Sequence, residues 1–208
     1  MAEDRDPRPH VARPRRADAQ RNYGKLIEQA KAAFAEFGVD ASLDEIARRA
    51  GVASGTLYRH FPTRLDLIEA VLAEQIAELA ALGRRLLTAT DEFDALLTWL
   101  RATLMHGLTY RGLSAAVMNT AVDRGNTLAS TWHTQLFEVG AALLTRARQT
   151  GAVTPAADEA DVLKMIGAIA WAAQDAPDSH AQADRMFALL INGLRSTIAS
   201  PPSSPPSA

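Results

Sequence analysis

Residues 42–64 read SLDEIARRAGVASGTLYRHFPTR and decide the fold of the first part of this chain. Apolar residues recur at i, i+3, i+4 and i+7 from Leu43, which is the pattern of an amphipathic helix. Ser42 and Glu45 have the spacing of a capping box, which satisfies orphaned backbone N–H groups at a helix start. Gly51 can adopt the left-handed conformation that ends a helix. The stretch therefore begins with a short helix that closes in a tight turn.

A second short helix follows the turn. Ser54 is a favourable N-cap residue. Pro62 disfavours the helical conformation at Phe61, so this helix should stop after roughly two turns. Thr63 and Asp66 repeat the capping-box spacing and should start a longer helix. The pattern predicts a helix-turn-helix.

The second helix is suited to the major groove of duplex DNA. Its small first residues would let the helix end approach base edges, and we expect Tyr58, His60 and Arg64 to donate to phosphate oxygens. Arg59 could reach a phosphate or guanine O6 and N7. The alternative is an ordinary three-helix packing unit with a solvated basic rim. The candidate DNA-binding residues are Ser42, Arg49, Ser54, Gly55, Thr56, Tyr58, Arg59, His60 and Arg64.

Residues 21–72 resemble the DNA-binding domain of the TetR family of transcriptional regulators. The matching stretches are RNYGKLIEQAKAAFAEFGVDASLDEIA, AGVASGTLYRHF and PTRLDLIEAVL. Arg64 departs from the lysine that the family more often has at this position. Both side chains bring a positive charge, but the guanidinium can also grip bidentately. The resemblance implies an N-terminal DNA-binding domain followed by a helical ligand-binding and dimerisation domain.

Composition and charge bound the possible functions. The 208 residues are 48% hydrophobic and include no cysteine, which removes disulfides, thiolate zinc sites and cysteine nucleophiles. The net charge of −2 is unevenly divided, because residues 1–64 hold 12 Lys+Arg against 9 Asp+Glu, whereas residues 65–208 hold 10 against 15. Basic charge is thus concentrated where DNA would bind.

The sequence also predicts a cytoplasmic protein. Its first residues, MAEDRDPRPH, lack the apolar segment of a secretory signal. The longest apolar run, residues 165–173, is far below the ~20 residues that span a bilayer. We therefore expect no membrane partner.

Four segments are expected along the chain. Residues 1–19 should be a disordered basic arm, which either follows DNA or only solubilises the protein. Residues 20–66 form the DNA-binding domain, and residues 67–199 form the second domain. Residues 200–208, rich in proline and serine, should be a disordered tail.

The whole chain is predicted to be all-α, because no stretch alternates apolar and polar residues long enough for a strand. A first helix carries Leu26 and Phe37 at helical spacing and ends at Gly38. After residue 63, one helix is expected to end near Gly83 and the next to begin near Asp91. Further helices should cover about residues 113–122, 127–150, 157–174 and 182–198.

The last two predicted helices have broad apolar faces. The resemblance implies that they pair two copies of the chain in a four-helix bundle, whereas the alternative is that they complete the core of one copy. The apolar stripes comprise Val162, Ile166, Ile169 and Ala173, and Phe187, Leu190, Ile191, Leu194 and Ile198.

No pattern indicates an enzyme, a cofactor or a metal site. The five histidines are scattered, and none stands three or four residues from another. Asp158, Glu159 and Asp161 cluster at a predicted helix start, where they complement the helix dipole.

Aromatic, sulfur and polar residues of the middle helices suggest a site for a small apolar or amphipathic effector. Such a site needs a mostly apolar cavity with a few convergent polar groups, and the alternative is that these residues only fill the core or the surface. The strongest candidates are Trp99, His106 and Trp132. The full ligand-binding set is Trp99, Thr103, His106, Tyr110, Met118, Trp132, Gln135 and Trp171, beside Met165.

We therefore expect a homodimeric, ligand-responsive repressor that binds a pseudo-palindromic operator. The alternative within this class is a regulator without a small-molecule ligand, which acts constitutively, as an activator or under protein control. An all-α binding or enzyme domain would require Tyr58, Arg59 and His60 to be idle.

Overall fold

The computed structural model describes residues 14–110, 112–113 and 128–195, and the side chains of residues 17–110, 112–113 and 134–195. Within these ranges the regular structure is helical apart from one isolated bridge between Val153 and Arg195, which confirms the all-α prediction. The chain divides into two compact units, Met1–Val71 and Leu72–Ala208. The division falls five residues after the expected domain boundary.

The first unit contains α1 (Pro14–Phe37), a 3-10 turn (Gly38–Asp40), α2 (Leu43–Arg49), α3 (Ser54–His60) and the start of α4 (Arg64–Leu86). Helix α1 begins inside the segment that was expected to be a disordered arm. The reason is local, because proline is well accommodated at the start of a helix and Asp18 pairs with Arg21 one turn later. Residues 1–13 of the expected arm lie outside the described part of the chain, as does the expected tail.

The caps of the first unit follow the sequence pattern in part. Gly51 has φ 68°, as the turn requires, and Thr63 and Asp66 form the reciprocal capping box that starts α4. Ser42 accepts a hydrogen bond from Glu45 N at 3.3 Å, but Arg48 and Arg49 hold the Glu45 carboxylate instead. The N-cap of α3 is Ala53, which has no side-chain bond, so the capping role predicted for Ser54 is wrong.

The second unit contains the rest of α4, then α5 (Glu92–Thr109), α6 (Leu128–Gln149), α7 (Glu159–Ala173) and α8 (Ser179–Leu194). Helix α5 packs against α6, α7 and α8. Asp91 and Asp158 cap α5 and α7 through their carboxylates, and Gly151, with φ 75°, follows α6. The helix expected at residues 113–122 lies almost wholly outside the described residues.

Helix α4 continues past Gly83, where the sequence suggested its end. Gly83 is needed for space, because a Cβ there would lie 2.1 Å from Val139 Cγ1 and 2.8 Å from Trp99 Nε1. The glycine is therefore a packing residue inside the helix and not its terminator.

The described helices include none that is both long enough and apolar enough to cross a membrane.

Candidate DNA-binding and effector sites

The polar face of α3 is open to solvent within the first unit. Tyr58 is 45% exposed and Arg59 is exposed, while Leu57 on the opposite face is completely buried. A Cβ placed on Gly55 would meet nothing within 4 Å. Ser54 and Thr56 are half-buried at the start of the helix. This arrangement leaves α3 with one anchored face and one face that another molecule can approach.

His60 is packed against an aromatic residue of α1 and against the aromatic residue that follows α3. Its ring centroid lies 6.0 Å from that of Tyr23 in an edge arrangement and 6.2 Å from that of Phe61. Tyr23 and Phe61 themselves lie 5.3 Å apart. These contacts limit the directions in which the half-buried imidazole can donate to a phosphate.

Arg64 makes contacts that the sequence did not indicate. Its Nη1 donates to Val39 O at 2.9 Å and also to Ala41 O. The half-buried guanidinium therefore joins the start of α4 to the connection between α1 and α2. Nothing else in the described part of the chain occupies its remaining N–H groups, and these are the donors that could still reach a phosphate.

Arg49 and Ser42 have competing partners on α2. Arg49 Nε donates to Glu45 Oε1 at 2.8 Å, and its Nη1 lies 3.6 Å from Glu36 Oε2. Hydrogen bonds from Arg48 and then from Arg49 lower the pKa of Glu45 to about 2. Ser42 is used as the N-cap of α2. The DNA contacts expected of Arg49 and Ser42 would therefore have to form alongside these hydrogen bonds.

The second unit contains two neighbouring cavities beside α5. The large cavity, of about 630 Å³, lies among α5, α6 and α7. The small cavity, of about 370 Å³, lies between α4 and α5. Both volumes fall within the range of small-molecule sites. The large cavity is lined by Thr103, His106, Gly107, Thr134, Leu136, Phe137, Ala160, Leu163, Lys164, Ile166, Gly167 and Ala170.

His106 lines both cavities. Burial lowers the pKa of His106 to about 4, against the opposing effect of Glu78 on α4, so the ring is neutral near pH 7. Its Nδ1 is buried and has no hydrogen-bond partner in the described part of the chain. Tyr110, whose ring centroid is 5.1 Å from that of His106, lines the small cavity. Thr103 lines the large cavity and donates its hydroxyl to Trp99 O at 3.0 Å.

Trp99 departs from its expected place in the lining. Its indole is fully buried and donates from Nε1 to Leu79 O at 3.0 Å. Gly83 on one side and Gly140 on the other provide the space for the ring, since a Cβ on Gly140 would lie 2.8 Å from Trp99 Cζ3. Trp99 is therefore a core residue and lines neither cavity.

The other expected ligand contacts have varied positions. Trp171 is 73% exposed on α7, so it lines neither cavity, and Gln135 is exposed beside the lining residues Thr134 and Leu136. Met165 lines a separate groove. Met118 and the side chain of Trp132 lie outside the described residues.

Lys164 is a lining residue that the sequence analysis missed. It is the only lysine after residue 31 and stands within the apolar run VLKMIGAIAWAA. This isolated charge was the available signal. Gly107 was also missed, although a Cβ there would lie 2.8 Å from Ala170 Cβ, which shows how closely α5 and α7 approach beside the large cavity.

Helices α7 and α8 leave apolar side chains exposed. Met165 is 48%, Trp171 73% and Leu189 74% exposed, and a groove of about 580 Å³ lined by Met165 and Leu189 lies between the two helices. The apolar stripes predicted for dimerisation are mostly buried in the core of the unit, so they support the alternative interpretation for those residues. This correction covers Val162, Ile166, Ile169, Ala173, Phe187, Leu190, Ile191 and Leu194, whereas Ile198 lies outside the described residues.

Metal-binding groups do not converge in the described part of the chain. It contains no cluster of three or more histidine, aspartate or glutamate side chains that could hold an ion.

Comparisons with known proteins agree across both units. Residues 26–71 match the model for bacterial regulatory proteins of the tetR family, and residues 91–196 match that for the C-terminal domain of SbtR-like transcriptional regulators. A solved TetR transcriptional regulator from Streptomyces coelicolor is 33% identical with a TM-score of 0.70. That similarity covers 84% of this chain and 98% of the other.

Each of two curated relatives matches part of this chain. The HTH-type transcriptional regulator SrpR of Pseudomonas putida is 42% identical over 66 residues, which are 31% of this chain and 31% of SrpR. The probable acrEF/envCD operon repressor of Escherichia coli K12 is 36% identical over 101 residues, which are 48% of this chain and 45% of that protein. The chain therefore matches less than half the length of these two relatives.

Proposed function

This chain belongs to the TetR family of transcriptional regulators, and from this premise we propose that it is a homodimeric repressor released from its operator by a small molecule. Members of this family regulate transcription through binding to DNA. Repression, dimerisation and release by an effector are all proposals. Features of the second unit support the last two.

The exposed face of α3 carries the proposal of operator binding. Exposed Tyr58 and Arg59 follow the open backbone at Gly55, so the helix can enter a major groove with its small residues against base edges. In a two-fold dimer the same face is presented twice, so the operator should be pseudo-palindromic. Because its proposed binding partner is chromosomal DNA, the protein would act in the cytoplasm.

The exposed apolar side chains of α7 and α8 support pairing of two copies through these helices. Leaving Trp171 and Leu189 in water forgoes the free energy that burial of apolar surface provides. Exposed Gly193, on the same groove as Leu189, would allow a close approach of a partner helix. The proposed interface thus uses the outer faces of the last two helices, while their buried stripes hold each copy together.

The large cavity supports the proposal of an effector. It is mostly apolar and includes a few polar groups, which is the composition of a small-molecule site. The second candidate function is a regulator without such a ligand. Its support is that several expected ligand contacts, above all Trp99 and Trp171, lie outside the lining.

The test of operator binding starts from selection of duplex DNA by the full chain. We expect an inverted repeat whose preferred bases change in Thr56→Ala or Arg59→Ala, because these side chains approach base edges. Arg84→Ala on α4 is the matched control, since it removes an exposed arginine outside the DNA-binding unit and should return the wild-type motif. Wild-type motifs from both α3 variants would contradict the assignment of α3 as the reading helix. Light scattering on the same samples would measure whether the chain is dimeric.

A further inference from the structure

The described lining of the large cavity carries charge of one sign. Lys164 is its only charged residue among the described lining residues, which include no aspartate or glutamate. The Lys164 ammonium lies 3.8 Å from Asp161 Oδ1, and both side chains are largely exposed. An exposed pair of this kind is weak. The ammonium can therefore exchange this partner for an anionic group of a ligand at the edge of the cavity.

His106 adds a neutral donor to this lining. An orphaned N–H group in a protein interior is rarer than an unpaired acceptor, so the buried and unpartnered Nδ1 favours a proton on Nε2. The ring is uncharged at neutral pH because burial lowers the pKa of His106, and the facing carboxylate of Glu78 on α4 does not offset this effect. Nε2–H is then the donor of the ring, and a ligand that reaches it must supply an acceptor.

A cationic ligand finds little compensation in the described lining. Burial of a positive charge requires a counter-ion or strong acceptors, whereas Lys164 repels it and His106 offers a donor. A negative charge on the ligand suits Lys164, and oxygen acceptors suit a neutral imidazole that donates. The remaining lining, which includes Leu136, Phe137 and Ile166, would cover a hydrophobic body.

We propose that the large cavity binds a hydrophobic carboxylic acid as its anion, with Lys164 as the residue that determines this charge preference. The inference rests on the proposed function in one respect, because it treats the large cavity as the effector site. It goes further by assigning a ligand class and the group that selects it.

The test compares three probes with the same ten-carbon chain: decanoate, decan-1-ol and decylammonium. Calorimetric titration of the full chain, below the concentrations at which the probes aggregate, measures their dissociation constants. We expect decanoate to bind about two- to fivefold more tightly than decan-1-ol, the effect of one exposed ion pair. Decylammonium should bind more weakly than either.

Variants at Lys164 separate charge from packing. Lys164→Met should bind decanoate and decan-1-ol equally, and Lys164→Arg should retain the preference for decanoate. Lys25→Met is the matched control, since Lys25 is an exposed lysine of the other unit, and it should behave as wild type.

Three outcomes would overturn the inference: no binding of decanoate, tighter binding of decylammonium, or an unchanged preference in Lys164→Met. Failure of the proposed function has a different signature. Decanoate that binds through Lys164 but leaves operator affinity unchanged would support the ligand class and contradict release of DNA by that ligand.

Discussion

Arg64 shows that a residue expected to bind DNA also has a structural task. Its hydrogen bonds to Val39 O and Ala41 O join segments more than twenty residues apart in the sequence. Both bonds come from Nη1, so a lysine ammonium, with three donors on one nitrogen, could also serve the two carbonyls. The arginine that replaces the more usual lysine of the family differs in keeping Nε and Nη2 as further donors beyond those bonds.

Arg64→Ala should change both stability and binding. Loss of the donor to two carbonyls should lower the free energy of unfolding by about 1–2 kcal/mol. Loss of a phosphate contact should weaken binding to all DNA sequences alike and reduce the salt slope by about one. Denaturant unfolding and salt-dependent anisotropy measure the two effects.

Arg64→Lys is the matched control, because it retains the charge and a nitrogen that can donate to both carbonyls, so it should keep the salt slope and most of the stability. If Arg64→Ala lowered stability but left the salt slope unchanged, the side chain would be purely structural.

His106 should make stability depend on pH. Its folded pKa of about 4 lies below the usual histidine pKa of 6.5, so between these values the unfolded chain binds a proton that the folded chain does not. Stability from this group is therefore complete above pH 6.5, falls as the pH decreases and levels off below about pH 4. The loss should be about 3 kcal/mol at most.

The measurement is the difference in unfolding free energy between wild type and His106→Gln across this pH range. His180→Gln, at an exposed histidine, is the control and should follow the wild-type curve. Parallel curves for wild type and His106→Gln would show that the imidazole is not buried as described.

At the scale of elements, the position of Trp99 depends on glycines in two other helices. Gly83 on α4 and Gly140 on α6 leave space for the indole. Leu79 O accepts a hydrogen bond from the indole N–H. Helix propensity alone disfavours glycine at such internal positions. Packing of α4, α5 and α6 around one tryptophan outweighs that preference.

Gly83→Ala should destabilise the protein by about 1–3 kcal/mol, because the new Cβ would overlap Val139 and Trp99. Gly24→Ala on α1 is the matched control. A Cβ on Gly24 meets nothing within 4 Å, so the better helix propensity of alanine should stabilise by up to about 1 kcal/mol. Thermal unfolding measures both changes. Equal stability of Gly83→Ala and wild type would contradict the tight packing.

At the scale of the whole molecule, α4 is the covalent connection on which the proposed regulation depends. It starts at Arg64, and the boundary between the two units falls inside it. In its second half, Gln75, Glu78 and Arg85 line the small cavity together with His106. We expect ligand binding to displace α4 and thereby change the spacing of the two α3 helices in a dimer, which must match a fixed half-site spacing.

Reciprocity provides the test of this coupling. If decanoate weakens operator binding, the operator must weaken decanoate binding by the same factor. The corresponding coupling free energy is typically about 1–3 kcal/mol. Titration of decanoate with and without operator DNA measures this factor, and non-operator DNA of equal length is the control. Identical decanoate affinities in all conditions would favour the regulator without a small-molecule ligand.

The sequence by itself determined the helical class, the helix-turn-helix and the family resemblance. Their signals are apolar periodicity, Thr63 and Asp66 at a cap, and Gly51 at a turn, and all of them act over a few neighbouring residues. Locally specified features can be predicted because the interacting groups are close in the chain.

Only the tertiary structure decided which side chains face a cavity, a core or a neighbouring carbonyl. Trp99 and Lys164 both lie in apolar helices, yet the first fills the core and the second lines the large cavity. The bond from Trp99 to Leu79 O spans 20 residues, and that from Arg64 to Val39 O spans 25. Such contacts depend on how distant helices pack, and helical periodicity specifies a face without specifying what covers it.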